Sequence, residues 1–121
     1  MPKIVFNIPH NTTLVPADLL GAGKQIIHLV AKACSTDERQ LTQFDVDWIV
    51  NPLPHGSIAG MGIELYTIGF PDRRKKLENL DVLRKLKADI IGVLREIVSG
   101  LPPIKDDDGF LWVQFTDGPH V

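Results

Sequence analysis

The sequence is short of the features that most quickly assign a chain to a class. It holds one cysteine, Cys34, in 121 residues, which excludes an intramolecular disulfide and any scaffold built on bridges. No apolar run approaches the roughly 20 residues that cross a bilayer, and the amino-terminus lacks the basic-then-apolar layout of an export signal. A cytoplasmic protein without membrane attachment is the expectation. Basic residues are not in excess either: 13 Lys and Arg stand against 15 Asp and Glu, a net charge of −2. Nothing in the overall charge therefore draws the chain to nucleic acid. The four histidines, His10, His28, His55 and His120, show no metal-ligand spacing, and no glycine loop of the phosphate-binding kind occurs. Neither a metal nor an organic cofactor is expected.

What is present, 44% hydrophobic residues, suits one domain over 1–121 with a core of its own. The stretch from Met1 to Pro9 alternates Ile4, Phe6 and Ile8 with Lys3, Val5 and Asn7, the period of a strand, and Pro9 ends it. Removal of Met1 would leave the secondary amine of Pro2 at the start of that strand, held rigid by its ring and able to accept a proton when desolvated. A retained Met1 would make the same nitrogen an amide without basicity. Pro16 and Asp18 open a helix whose face carries Leu19, Ile26, Val30 and Cys34, with Lys24, His28 and Lys32 opposite. Cys34 therefore reads as a buried, inert thiol. Gly21 and Gly23 weaken that helix, which points to close packing against them.

A second strand reads from Phe44 to Asn51. Asp45 and Asp47 share a face in it, as a polar sheet surface more than as an acid–base pair. Residues 51–60 are too rich in Pro and Gly for regular structure. A third strand runs from Ile63 to Phe70, and the basic run Arg73–Lys76 precedes a second helix with the seam Leu83, Leu86, Ile90, Leu94 and Ile97. Gly100, Pro102 and Pro103 stop that helix, and Leu111, Val113 and Phe115 alternate through a last strand after the acidic turn at 106–109. The expected fold is α+β: two βαβ units, about 1–60 and 61–121, forming a four-stranded mixed sheet with two helices on one face. The other face then lacks cover, and oligomerisation would supply it.

In this order Met1-Pro2 opening a strand, Leu65-Tyr66-Thr67-Ile68-Gly69, the basic run after it and Leu111-Trp112-Val113-Gln114-Phe115 resemble the tautomerase superfamily. That family includes 4-oxalocrotonate tautomerase, macrophage migration inhibitory factor and the 3-chloroacrylic acid dehalogenases. The resemblance implies a homotrimer in which Pro2 is the catalytic acid and base. It also implies Arg73 or Arg74 as the carboxylate-binding donor, Ile68 as a backbone contact near the pocket, and Trp112, Gln114 and Lys32 as further substrate-binding positions. Gln114 stands where some members use tyrosine or asparagine, so a phenol for water activation is not evident. The implied reaction is proton transfer between enol and keto forms of a small carbonyl acid, with dehalogenase, hydratase and decarboxylase variants open. The alternative is a non-catalytic oligomeric protein of the same fold. A four-stranded sheet with two helices on one face also serves modules that bind small ligands or RNA, and the net charge speaks against RNA.

Overall fold

A computed structural model describes residues 2–9, 12–53, 61–104 and 110–116. Met1, His10, His55, His120, the Pro- and Gly-rich loop at 54–60 and the acidic turn at 106–109 lie outside the described residues. The strands are β1 (Lys3–Ile8), β2 (Asp47–Pro52), β3 (Gly62–Ile68) and β4 (Leu111–Thr116), and the helices are α1 (Pro16–Cys34), α2 (Pro71–Leu77) and α3 (Leu80–Ile97). They form one sheet in the order β2-β1-β3-β4. β1 pairs in parallel with β2, β3 in parallel with β4, and the two halves meet through an antiparallel β1–β3 ladder. Each parallel pair needs a crossover, which α1 provides in the first half and α2 with α3 in the second.

The alternation read from the sequence sets the two sheet faces. Ile4, Phe6, Ile63, Leu65 and Leu111 are buried beneath the helices with Ile26, Val30, Ile90 and Leu94. Lys3, Asn7, Glu64, Tyr66, Trp112 and Gln114 occupy the opposite face. Asn51 Nδ2 donates to Asn7 Oδ1 at 2.7 Å and Asn7 Nδ2 to Glu64 Oε2 at 3.0 Å, a polar row across three strands. Lys3 Nζ lies 4.8 Å from the Tyr66 ring centroid on the same face. Trp112 is 58% exposed there.

Three local details differ from the sequence expectation. The basic run is itself a short helix, α2, because Pro71 supplies the preset φ of a first helical residue and Leu77 turns into the core. Asn79 then caps α3 by accepting from the Asp81 N–H at 2.9 Å, so one expected helix becomes two. The second strand begins only at Asp47, since Thr42 and Asp45 close a capping box around the single 3₁₀ turn Gln43–Asp45. Asp45 and Asp47 are therefore no pair. The suspicion of close packing holds at Gly23, where a Cβ would sit 2.4 Å from Trp48 Cδ1, and not at Gly21, where the nearest atom is 3.6 Å away. Trp48 lies over α1 and its ring centroid is 5.9 Å from that of Phe6. Gly100, with φ of 74°, makes the left-handed turn after α3.

Cys34 is fully buried in the last turn of α1. Burial pushes its thiol up from an ordinary 9.0 to about 11, against the nearby charges of Arg73 and Lys76, which act downward. An acid whose folded pKa is raised stabilises the fold fully below its unfolded pKa, and that contribution is lost as the pH rises through the folded value. The wild type is thus expected to lose about 2–3 kcal/mol more than Cys34→Ala between pH 9 and pH 11. Urea midpoints for both chains across that range measure the difference. Parallel stability curves would show that the thiol is not buried.

Candidate active site

The carboxyl end of α1 and the entry to α2 are built against each other. The last carbonyls of a helix have no partner within it. Here Arg73 Nε donates to the Cys34 carbonyl at 3.0 Å, and Lys76 Nζ donates to the carbonyls of Lys32 at 3.0 Å and Ser35 at 2.6 Å. The Ser35 hydroxyl donates to the Ala31 carbonyl at 2.7 Å. Two cations at the negative end of the α1 dipole are placed where electrostatics favours them.

Arg73 is 3% exposed. Besides the Cys34 carbonyl, its Nη1 reaches the hydroxyl of Thr67 at 2.9 Å, itself buried on the helix side of β3. A guanidinium committed in this way is a structural cation in the single chain. Arg74 is different: about a third of its side chain is exposed, it pairs with Glu78 at 3.8 Å, and its guanidinium carbon lies 4.4 Å from the Phe115 ring centroid. Arg39, from the connection between α1 and the 3₁₀ turn, was not among the candidates. Its guanidinium lies 4.0 Å from the Phe70 centroid, with that of Arg73 at 5.4 Å. Asp72 holds Arg39 at 2.6 Å and also accepts from the Thr36 hydroxyl. The Thr36 bond and then Arg39 hold the Asp72 carboxyl below its ordinary range. The sequence signal for Arg39 is weak, because a lone arginine in a polar stretch declares nothing until the fold brings Phe70 to it.

Pro2 sits at this same end of the sheet. Its ring is fully buried and continues the face of Ile4 and Phe6, and its carbonyl accepts from the Asp47 N–H at 3.1 Å. The β1–β3 register ends with Lys3 opposite Tyr66, so the next step sets Pro2 opposite Thr67. Ile68 closes β3 one residue further on and is half-buried. Pro2, Thr67, Ile68 and the arginines Arg39, Arg73 and Arg74 are thereby gathered at one end. Trp112 and Gln114 project from the opposite sheet face, where Gln114 Nε2 approaches Glu64 Oε1 at 3.5 Å. Lys32 is exposed and lines, with His28, Gln40 and Phe44, a cleft of about 570 Å³ to which none of Pro2, Ile68, Arg73, Trp112 or Gln114 contributes. Desolvation, and then the Glu64 carboxylate beside it, push the phenol of Tyr66 on the open face above its ordinary range. Among the described residues no group of three or more His, Cys, Asp and Glu side chains is placed to hold a metal, and no helix is long and apolar enough to cross a membrane.

No family model matches the sequence, and no curated protein matches it. Solved structures do match the fold. A macrophage migration inhibitory factor-like protein from Entamoeba histolytica superposes with a TM-score of 0.57 over 97% of this chain and 88% of its own, at 12% identity. N1, a member of the cis-3-chloroacrylic acid dehalogenase family, gives 0.53 over 97% of this chain and 75% of its own, at 12% identity. Native fused 4-OT gives 0.50 over 97% and 87%, at 11% identity. The likeness spans both βαβ halves at an identity that speaks for fold alone. The chain has the fold of the tautomerase superfamily.

Proposed function

We propose that this protein is a tautomerase-type isomerase that moves a proton between the enol and keto forms of a small carbonyl acid. The Pro2 amine, freed by loss of Met1, is its acid and base. One observation carries the reading: Pro2 immediately precedes β1 in a buried position at the sheet end where three guanidiniums surround Phe70 and Phe115. Burial and nearby cations both favour the neutral amine, which is the form that accepts a proton. Pro2 takes a proton from the enol oxygen or from carbon next to the carbonyl and returns it at the conjugated position, so no atom is gained or lost. Arg39 and Arg74, each with 35% of its side chain exposed, are the donors for the substrate carboxylate. A planar fork binds a carboxylate through two parallel bonds, and Asp72 holds the place of that carboxylate on Arg39 in the free chain.

The reading extends to assembly. Trp112, 58% exposed, and Ile49, 39% exposed, lie on the sheet face opposite the helices. Three copies would cover those faces and bring Trp112 and Gln114 of one chain toward the Pro2 end of the next. Sedimentation equilibrium at micromolar concentration is expected to give three times the 13.4 kDa chain mass; a clean monomer would remove the trimer and those two residues from the site.

The rival reading keeps the fold without catalysis. The observation in its favour is that Pro2 and Arg73 are both buried in the single chain. Ketonisation of a small 2-hydroxy-dienoate acid separates the two readings. Processed wild type is expected to turn it over, Pro2→Ala to lose most activity, and Arg39→Ala or Arg74→Ala to raise KM by roughly ten- to a hundredfold, the loss of one charge-assisted hydrogen bond. Methionine-retaining protein that tautomerises as fast as processed protein would refute Pro2 as the catalyst. Processed protein with no turnover of enol acids would favour the rival.

A further inference from the structure

We infer that Arg73 is a positioning residue, which acts through Thr67 to hold the Pro2 amine neutral and does not itself bind the substrate carboxylate. The inference rests on Pro2 being the reactive group. Three observations place Arg73 in that role. The side chain is 3% exposed, so it does not present its fork to a molecule arriving from solvent. Its Nε is taken by the Cys34 carbonyl and its Nη1 by the Thr67 hydroxyl. Thr67 follows Tyr66, the register partner of Lys3, so it stands across the antiparallel ladder from Pro2. Opposed residues in such a ladder have Cα atoms ~5 Å apart, and the ring of Pro2 and the side chain of Thr67 are both buried on the helix side.

A fixed positive charge one side chain removed from a buried amine opposes protonation of that amine, and the low polarity of the surroundings makes the opposition stronger than it would be in water. Among the described residues the other charged and titratable groups at this sheet end are placed differently. Asp47 offers its N–H to the Pro2 carbonyl while its side chain is exposed on β2. Lys3 and Tyr66 face each other on the open side of the sheet. From α2, Asp72 is occupied by Arg39 and Thr36, Arg74 lies against Phe115, and Lys76 is spent on the α1 carbonyls. On α1, Cys34 is a protonated thiol. Arg73 is the cation hydrogen-bonded to the residue across from Pro2.

The arrangement divides the labour of the three arginines. Arg73 fixes the charge state of the base, and the half-exposed Arg39 and Arg74 meet the acid. A lysine at 73 would keep the charge and lose the two-pronged link, whereas glutamine would keep a donor and lose the charge.

The test is a titration of the Pro2 amine itself, by ¹⁵N NMR of proline-labelled, Met1-processed protein, with an unstructured peptide of the same first residues as reference. The wild-type amine is expected to titrate at least about one unit below the peptide. Arg73→Gln is expected to move it most of the way back, Arg73→Lys to keep most of the depression, and Thr67→Val to lose part of it. Circular dichroism checks folding of each variant. A wild-type amine that titrates with the peptide overturns the inference, whatever the variants do. A folded Arg73→Gln that titrates with the wild type also overturns it; should Arg73→Gln not fold, a Thr67→Val amine unchanged from wild type does so. Enol–keto turnover measured on the same wild-type samples keeps the two claims apart. Turnover without the shift would remove the role of Arg73 and leave catalysis, and the shift without turnover would do the reverse.

Discussion

The docking of α2 cations onto the carboxyl end of α1 is the contact on which the site depends. Arg73 and Lys76 together supply donors to the carbonyls of Lys32, Cys34 and Ser35, groups that would otherwise lie at the helix end without partners. That contact ties the first βαβ half to the second at one end of the sheet. It fixes the entry of α2, hence the position of Phe70, and so the platform on which Arg39 rests. It also carries the Arg73 fork to Thr67, next to the start of β1. Breaking it would leave a buried charge without its partners, among the costlier defects a fold can carry.

The two faces of the sheet are under different constraints. The helix side is closed by a continuous core from Ile4 and Phe6 to Ile90 and Leu94, and at Gly23 the packing is so close that no side chain fits beside Trp48. The other side is a polar lattice of Asn51, Asn7, Glu64 and Gln114 with Lys3 over Tyr66. Polar groups that bond to one another across strands do not require burial, yet Trp112 beside them remains exposed. In the proposed assembly this face would meet other copies of the chain, with the polar lattice setting register and Trp112 contributing area.

Much of this was legible in the residues, and the exceptions have physical causes. Period-two alternation in β1, β3 and β4 identified the core face because each strand has one buried side. Pro16 at the start of α1 and Gly100 after α3 marked ends because each suits a backbone conformation found there. The split into α2 and α3 was missed because Leu77 and Leu80 continue an apolar pattern across the turn at Glu78 and Asn79, and only the Asn79 cap interrupts it. The basic run reads in the sequence as four adjacent cations with Arg73 or Arg74 as a carboxylate donor, but its four residues have distinct fates: Arg73 is buried, Arg74 is stacked on Phe115, Lys75 is exposed and Lys76 caps α1. Helical geometry separates neighbours by about 100°, so adjacent cations need not share an environment. Arg39 was invisible because its partners Phe70 and Asp72 lie more than thirty positions away.

The central claim is that Pro2 is a reactive amine in a pocket that selects anions. Iodoacetate and iodoacetamide test it most directly, since they alkylate a neutral amine by the same displacement of iodide and differ in charge. With processed protein, and with Cys34 buried and protonated, peptide mapping is expected to find the adduct on the Pro2 nitrogen, formed faster by iodoacetate than by iodoacetamide, with that preference reduced in Arg39→Ala. An amine that iodoacetamide modifies faster, or that neither reagent modifies, would contradict the account.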